Sequence, residues 1–480
     1  MINAKPPTTN NKQPITNNQL QLLVIIGFLI IGSLLRLLWA ADMEWKSEEQ
    51  WMFNQAQQIV NGTIPLPISG ILSSIGIPNP GMGVWCFAAI AKFADDPVSM
   101  ARGVQLLNIA ALWLFFAFVL RQIGQEERHT WLWGLAIASV NPLAIILSRK
   151  IWIPDLLAPF CFLIFLGHWF RQKFWGSFLW GIASICSGQV HMGGFFVVIG
   201  IFCWTVWHDG RKKILRKIAW MGYIFGNAIG SIPLLLWLWE VLPQWQGSRS
   251  SIVGLLVPKF YSQWLTTALG INLSYSLKDF FWQDFLREPL IFGIPTYLMV
   301  PAHLFLVGIG IYPFYRWLKR RKKAEWRIEK VELRIENGEG SYEKNFSEPG
   351  NESRLFPIPN SQFPLRSMVS KALAQRDGVR QIPHSQEPKL NLYLKALGFG
   401  VGGTFTLLAV NVPPYYMALV FPFTYIWLAQ LYRHKTKLLL AIVLVQLLIS
   451  LTFLIFIHRT GGIPFEGSGY GTSYRFQMLN

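Results

Sequence analysis

Four acidic side chains lie close together just after the first long apolar run of the sequence. The run WAADMEWKSEEQWMFNQAQQIV carries Asp42, Glu44, Glu48 and Glu49. With residues 44–60 placed on a helix, Glu44 and Glu48 fall one turn apart beside an apolar stripe, and Glu49 falls on its flank. A carboxylate held partly out of water keeps its proton more readily and can act as a base near neutral pH. The pattern predicts a surface-lying amphipathic helix with a candidate catalytic base, and a solvated acidic loop is the alternative.

A second charged group joins two later apolar runs. The segment SRKIWIPDLLAPF contains Arg149, Lys150 and Asp155. Arginine offers planar, forked donors and lysine a compact positive charge, and both side chains bind phosphate. The group therefore predicts a phosphate site at the edge of the membrane. The alternative is contact of the two cations with lipid headgroups, which requires no site.

Three further candidate side chains stand near the ends of apolar runs. His191, in SGQVHMGG, is a candidate metal ligand together with Asp42, although a hydrogen-bonded structural histidine is the commoner role. Tyr415 and Tyr416 open the run YYMALVFPF at the predicted external face of the membrane. An interfacial aromatic belt would explain the same tyrosines.

The elements that must position these residues are membrane helices. The 480 residues are 52% hydrophobic and 14% charged, against about 25% charged in a typical soluble chain. Runs long enough to cross about 30 Å of hydrocarbon predict about eleven spans. These runs are 20–40, 102–120, 131–148, 154–170, 174–190, 192–207, 218–239, 291–316, 392–411, 415–431 and 437–457. The fold class is predicted as all-α and polytopic, with external amphipathic helices beside the membrane, and no nucleic-acid partner is expected.

Basic residues indicate the orientation of these spans. The chain has 43 basic and 25 acidic residues, a formal net charge of +18. The apolar run 81–94 is only about 14 residues long, too short for a span. If it is a re-entrant or surface helix, the basic clusters at 211–217 and 319–323 fall in the cytoplasm, as the positive-inside rule requires. We therefore expect a prokaryotic plasma-membrane protein whose charged residues at 42–49 and 149–155 face outward, with membrane lipids as partners.

Composition divides the chain into four parts. A first membrane region, 1–316, carries polar external loops at 41–101 and 240–290. A charge-dense and then Pro/Ser/Asn-rich insert, 317–391, is predicted to be cytoplasmic and mostly disordered. The second membrane region is 392–457, followed by an external tail, 458–480.

In their order along the chain, several motifs resemble one family. They are RLLWAAD, EEQWMFNQAQQIVNGTIP, PNPGMGVWCFAAIAKFADDP, SMARGVQLLN, NPLAIILSRKIWIPDLLAPF and PYYMALVFP. Together they resemble the C-type membrane glycosyltransferases, specifically the family-39-like group that includes the protein O-mannosyltransferases and the lipid A aminoarabinose transferases. The resemblance covers roughly residues 20–230 and, more loosely, 392–432. The chain departs from the family in its acidic pair, which is usually Asp-Glu and here is Glu48-Glu49, and at 77–79, where Ile-Pro-Asn replaces residues that are charged in some members.

The resemblance implies a hexosyl- or pentosyltransferase of the cell envelope. Such an enzyme moves a sugar from a polyprenyl-phosphate lipid to an acceptor hydroxyl on a lipid, glycan or protein, by an inverting displacement. Glu48 would be the base, with Asp42, Glu44, Glu49 and Asp155 as the further candidate catalytic, metal-binding or acceptor-binding residues. Arg149, Lys150, Tyr415 and Tyr416 would hold the lipid phosphate. A divalent metal cation is the one cofactor implied.

Two other classes of function remain open from the sequence. About eleven spans would suit a transporter or flippase of lipid-linked sugars, but here the ionisable residues gather at the membrane rim and the two membrane regions are very unequal. A polysaccharide polymerase or ligase would carry its main catalytic loop late in the chain. The loop 240–290 is the candidate for it, although its acids are less dense than those of 41–50.

Overall fold

The computed structural model describes residues 17–73, 76–244, 259–336, 389–408, 410–463 and 470–479. The chain divides into two compact units, one of residues 1–307 with 390–480 and one of residues 308–389. Up to residue 244 the helices are α1 (Asn17–Leu37), α2 (Ser47–Val60), α3 (Met82–Ala91), α4 (Pro97–Gln122), α5 (Gln125–Val140), α6 (Pro142–Ile146), α7 (Leu157–Trp169), α8 (Phe174–Val190), α9 (Gly193–Arg211) and α10 (Trp220–Val241). After it come α11 (Lys259–Leu269), α12 (Leu273–Leu286), α13 (Met299–Glu336), α14 (Lys389–Lys395), α15 (Gly402–Leu407), α16 (Phe423–Leu431), α17 (Thr436–Thr460) and α18 (Tyr474–Leu479).

The described residues are mostly helical, as predicted, and they also include two small antiparallel hairpins that were not predicted from the sequence. The first pairs β1 (Ser69–Leu72) with β2 (Pro78–Pro80), and the second pairs β3 (Leu290–Ile291) with β4 (Ile294–Pro295). Among the described residues, five helices are long and apolar enough to cross a membrane: α1 over Gln19–Leu37, α4, α9, α10 and α17. The remaining predicted spans fall outside this set, so the number eleven stays a prediction.

Two of the remaining predicted spans are interrupted helices. In 415–431 a 3₁₀ turn, Pro414–Val420, precedes α16, because Pro422 cannot donate a helical hydrogen bond. In 392–411 a π-helical turn, Ala396–Val401, separates α14 from α15. Irregular backbone of this kind often occurs beside functional sites in membrane proteins.

The predicted span 291–316 begins later than expected. Its first residues form the tip of the β3–β4 hairpin, where Phe292 and Gly293 both have positive φ. Helix α13 starts only at Met299 and continues to Glu336, so it includes residues 317–336 of the insert that was predicted to be mostly disordered. The rest of the predicted disordered insert, from residue 337 to 388, lies outside the described residues.

A break between α5 and α6 positions the loop that carries the second charged group. Asn141 ends α5, and its Oδ1 accepts the backbone N–H groups of Leu143 and Ala144 at 3.1 Å each. Its side-chain amide donates to the carbonyl of Thr267 (3.0 Å) and to Oε1 of Gln446 (3.1 Å). This buried asparagine therefore fixes α6 and the loop after it against α11 and α17.

The region between α1 and α4 differs in one respect from the predicted surface helix 44–60. Helix α2 begins at Ser47, so Glu44 is not on it but forms an isolated antiparallel bridge with Ser473. Helix α3 has 10 residues and a length of about 15 Å, short of the roughly 30 Å that a span requires. That length agrees with the interpretation of 81–94 as a helix that does not cross the membrane.

Candidate active site

Arg149 closes the end of α1. Its side chain is buried, and its guanidinium donates to the backbone carbonyl of Leu35 and, at 2.5 to 3.1 Å, to those of Arg36, Leu38 and Trp39. The last carbonyls of a helix lack partners within the helix, and this side chain supplies them. Both terminal nitrogens of the guanidinium therefore bond to the backbone of α1, and binding of a phosphate by Arg149 stays a prediction.

Asp155 shapes the turn that presents Lys150. Its Oδ2 accepts the backbone N–H groups of Arg149 (3.1 Å) and Lys150 (3.2 Å), and the residue is 0% exposed. Asn108 holds the same turn from α4 by donating to the carbonyl of Asp155 at 2.7 Å. Asp155 therefore acts on the backbone of the turn and is not among the residues that line the cavity described below, so its role as a metal or acceptor ligand stays a prediction.

Four side chains from the two charged regions form a charge cluster, which consists of Glu44, Lys46, Glu49 and Lys150. Nζ of Lys150 lies 2.5 Å from Oε2 of Glu44 and 3.5 Å from Oε1 of Glu49. Lys46 pairs with the other oxygen of Glu44. The two regions, about a hundred residues apart in sequence, therefore meet as the predicted common site requires.

The start of α2 explains why Glu49 belongs to this cluster. Glu49 is the third helical residue, and its Oε2 accepts the backbone N–H of Lys46 at 3.1 Å, as in a capping box. It lies one turn before Met52 and two turns before Ala56, which are buried on the inner face of the helix. Glu49 therefore lies on the buried face of α2 and is 1% exposed, whereas the neighbouring Glu48 is exposed.

Burial and mutual pairing set the protonation of the cluster. Burial raises the pKa of Glu49 to about 7, in spite of the opposing effect of Lys150. Burial alone would lower the pKa of Lys150, but the negative charges of Glu44, Glu49 and Asp155 outweigh it and raise that pKa. Near neutral pH the cluster therefore combines a firmly protonated lysine with a glutamate close to its midpoint.

The cluster lines a cavity of about 410 Å³. Its polar lining residues are Glu44, Lys46, Ser47, Glu48, Glu49, Lys150, Ser276 and Tyr470. Its apolar and aromatic lining residues are Leu143, Ile146, Leu147, Trp152, Pro414 and Tyr415. One side of the cavity thus offers charged groups and the other offers apolar and aromatic surface, a combination suited to an amphipathic ligand.

Trp152 connects the parts of this cavity. Its Nε1 donates to Oε2 of Glu48 at 2.8 Å, and its ring lies under Nζ of Lys150 at 3.8 Å from the ring centroid. The ring also meets Tyr415 edge to face at 4.8 Å. Glu48, Lys150 and Tyr415, all predicted from sequence, are therefore held around one indole.

Three other predicted residues lie away from the cavity lining. The carboxylate of Asp42 is paired with Arg475 and His458, each at 2.5 Å. His191 accepts the N–H of Gly193 through Nδ1 at 3.1 Å, and burial lowers its pKa to about 4. Tyr416 stacks edge to face on His191 at 5.0 Å, behind Tyr415.

The carboxylates of the charge cluster are already paired with lysines, and a divalent metal cation at this site stays a prediction. Within the described part of the chain, no three His, Cys, Asp or Glu side chains are grouped so that they could hold one. The candidate ligands Asp42 and His191 lie in different surroundings, and Glu44 and Glu49 already face Lys150.

Sequence reasoning missed Lys46, Trp152, Ser276 and Tyr470. Lys46 and Trp152 each stand within two or three residues of predicted site residues, so their types and positions offered a local signal. Ser276 and Tyr470 come from distant segments whose approach no local pattern reveals.

Comparison with known proteins adds no relative to this description. No protein-family model, no curated protein and no solved structure matches the chain. The resemblance to the family-39-like glycosyltransferases therefore depends on the sequence motifs alone.

Proposed function

We propose that the protein is a membrane glycosyltransferase that uses a polyprenyl-phosphate-linked sugar, as its likeness to the family-39-like group implies. The observation that carries the proposal is the shared cavity of Glu48, Lys46 and Lys150, which faces Leu147 and Tyr415. A carboxylate, two ammonium groups and an apolar surface within one cavity match the acceptor, phosphate and lipid parts of such a reaction.

In the proposed reaction Glu48 is the general base. Its exposed carboxylate takes the proton from an acceptor hydroxyl as the hydroxyl oxygen attacks the anomeric carbon of the sugar. The bond from that carbon to the phosphate oxygen breaks on the opposite side, and its electron pair leaves with the phosphate. The products are an inverted glycoside and a polyprenyl phosphate.

The two lysines stabilise the charge that develops on the departing phosphate. Lys150 is held in place by Glu44, Glu49 and Trp152, so its ammonium is oriented before the substrate binds. The midpoint of Glu49 near pH 7 matters here, because a proton on Glu49 removes one competitor for the ammonium of Lys150. Phosphate binding and protonation of Glu49 should therefore favour each other.

The same proposal includes the location and partners of the reaction. The charge cluster would face outward from a prokaryotic plasma membrane, with membrane lipids around the helices. Water-soluble nucleotide sugars are absent on that side, so a lipid must carry the donor sugar. The acceptor hydroxyl belongs to a lipid, a glycan or a protein.

Product release from defined donors tests this proposal. The purified protein in lipid nanodiscs would be incubated with undecaprenyl phosphates carrying radiolabelled glucose, mannose, arabinose or aminoarabinose. We expect release of free undecaprenyl phosphate from at least one donor, with loss of that release in Glu48→Gln. Glu126→Gln, an exposed acid at the start of α5, is the matched control and should keep full activity.

Two outcomes would favour the other classes of function. A polymerase or ligase would release undecaprenyl diphosphate from diphosphate-linked donors and leave the monophosphates intact. A flippase would move a fluorescent lipid-linked sugar between leaflets without breaking its glycosidic bond. Either result, without turnover of a monophosphate donor, would overturn the proposal.

A further inference from the structure

The segment 470–479 supplies hydrogen-bond partners to the stretch that carries half of the charge cluster. Residues 43–46 belong to no helix or strand, so their backbone groups need partners elsewhere. Tyr474 donates its N–H to the carbonyl of Met43 at 3.0 Å. Gln477 donates through Nε2 to the carbonyl of Trp45 at 2.6 Å.

The same segment also holds Asp42, immediately before that stretch. Arg475 donates through Nε to Oδ1 of Asp42 at 2.5 Å, and the hydroxyl of Tyr470 donates to the carbonyl of Asp42 at 2.7 Å. His458, at the end of α17, meets the other carboxylate oxygen at 2.5 Å and stacks on Trp39 at 4.1 Å between centroids. Asp42 is 3% exposed, so these partners determine where its charge can lie.

Position along the chain connects these contacts to the cavity. Asp42 stands two residues before Glu44 and four before Lys46, and Glu44 bridges Ser473 through its backbone. A shift of Asp42 would move Glu44 and Lys46 with it, and both side chains pair within the cluster. Lys150 is anchored separately through Asp155, so only one side of the cluster depends on segment 470–479.

We propose that segment 470–479 is a positioning element of the cavity, with Arg475 as its main positioning residue acting through Asp42. It holds Glu44 and Lys46 in register with Lys150, and Asp42 serves this contact rather than the chemistry. The assignment of the cavity as the site of sugar transfer rests on the proposed function, but the positioning itself does not.

Arg459 provides a matched control for this proposal. Like Arg475, it is a partly exposed arginine that pairs with a buried carboxylate, that of Glu288. Glu288 lies next to the β3–β4 hairpin and is not part of the cavity lining. Replacing either arginine by methionine leaves one buried carboxylate without its guanidinium, so the cost in overall stability should be similar.

The rate of lysine acetylation measures how accessible the lysines of the charge cluster are, and it requires no substrate. The full chain in nanodiscs would be acetylated for increasing times, and the rates at Lys46 and Lys150 compared with the exposed Lys92 by mass spectrometry. We expect Arg475→Met to accelerate labelling of Lys46 about tenfold, as for a local opening, while Arg459→Met leaves it unchanged. Arg475→Lys, which keeps the positive charge, should give an intermediate rate, and Tyr470→Phe a small increase.

The result that would overturn the proposal is labelling of Lys46 at the wild-type rate in Arg475→Met, or equal acceleration by Arg475→Met and Arg459→Met. Should Arg475→Met fail to fold, the comparison of Arg475→Lys and Tyr470→Phe with wild type decides in the same way. Binding of undecaprenyl phosphate is then measured on the same samples. If the wild type shows no binding while Lys46 responds to Arg475, the proposed function is weakened and the positioning role stands.

Discussion

Two buried polar networks in this protein use the same chemistry and differ in access. One is the charge cluster of Glu44, Lys46, Glu49 and Lys150, beside a cavity of about 410 Å³. The other, which we call the inner network, consists of His168, Arg171, Thr205, His208, Asp209 and Tyr393, where α7, α9 and α14 meet. Both networks join segments that are distant in sequence.

In the inner network, hydrogen bonds join the member side chains to one another. His168 bonds the hydroxyl of Tyr393 at 2.5 Å and Oγ1 of Thr205 at 2.9 Å, and Arg171 binds Asp209 at 2.9 Å. The pocket that Tyr393 lines is apolar and holds about 20 Å³, room for about one water molecule. Burial and ion pairing are therefore common to a structural network and a candidate site, and space for a ligand is what separates them.

The largest expected difference is in catalysis. Glu48→Gln keeps the size of the side chain and removes the proposed base, so sugar transfer should fall by about 10²- to 10⁴-fold. Folding and insertion should be unaffected, because Glu48 is exposed. The measurement is release of undecaprenyl phosphate per correctly folded molecule, with Glu126→Gln as control. Full activity of Glu48→Gln would assign the base to another residue, with Glu49 the next candidate.

Removing the central cation of each network should separate binding from stability. Lys150→Met leaves Glu44 and Glu49 facing each other, and Arg171→Met leaves Asp209 without its guanidinium; each should lower the free energy of unfolding by roughly 3–5 kcal/mol. Only Lys150→Met should also weaken binding of undecaprenyl phosphate, by at least about tenfold. Thermal unfolding and ligand titration on the same preparations check this, and a comparable loss of binding in Arg171→Met would erase the distinction.

The charge cluster should also give stability a pH dependence. Glu49 holds its proton more tightly in the folded than in the unfolded chain, so its contribution to stability is fully present at low pH and is lost as pH rises through about 7. Between about pH 5 and pH 8 the free energy of unfolding should fall by roughly 1–3 kcal/mol on this account. The melting temperature measured across that range should be flatter in Glu49→Gln, and an unchanged slope in that variant would place the titrating group elsewhere.

The smallest effect is expected in the inner network. Tyr393→Phe removes the hydroxyl that bonds His168 and the carbonyl of Phe165, and it should lower the free energy of unfolding by about 1–2 kcal/mol. Transfer activity per folded molecule should match wild type, because Tyr393 is not among the residues that line the cavity of the charge cluster. A clear loss of activity would show that the inner network takes part in the function.

Local sequence patterns predicted those site residues whose positions depend on the residues next to them in the chain. Glu48, Glu49 and Lys150 follow from charge next to apolar periodicity, and the helical nature of the membrane region follows from composition. The neighbours Arg149 and Lys150 look equivalent in sequence, yet one caps a helix and the other lines the cavity, because the turn fixed by Asp155 points them apart. The role of Arg149 depends on the end of α1, more than a hundred residues earlier in the chain. A short stretch of sequence around Arg149 does not include that helix end, so it could not predict the difference between Arg149 and Lys150.

Long-range partners and helix breaks escaped prediction for the same reason. Tyr470 and Ser276 approach the cavity through tertiary packing. Asp42 and Glu44 are acids only two positions apart, so the sequence pattern does not distinguish their surroundings. The helical breaks after Val140 and before Phe423 lie in runs whose hydrophobicity alone reads as continuous. Hydropathy measures which residues avoid water and is insensitive to where the backbone turns.

The contacts of the Arg149 guanidinium also determine when the end of α1 can form its final hydrogen bonds during synthesis. During synthesis α1 leaves the ribosome long before residue 149, so its final carbonyls must find temporary partners such as water or lipid headgroups until that arginine arrives. A helix within hydrocarbon tolerates unpaired carbonyls poorly, which favours keeping this end of α1 at the interface. The last carbonyl groups of α1 thus gain their final hydrogen-bond partner only after more than a hundred further residues have been synthesised.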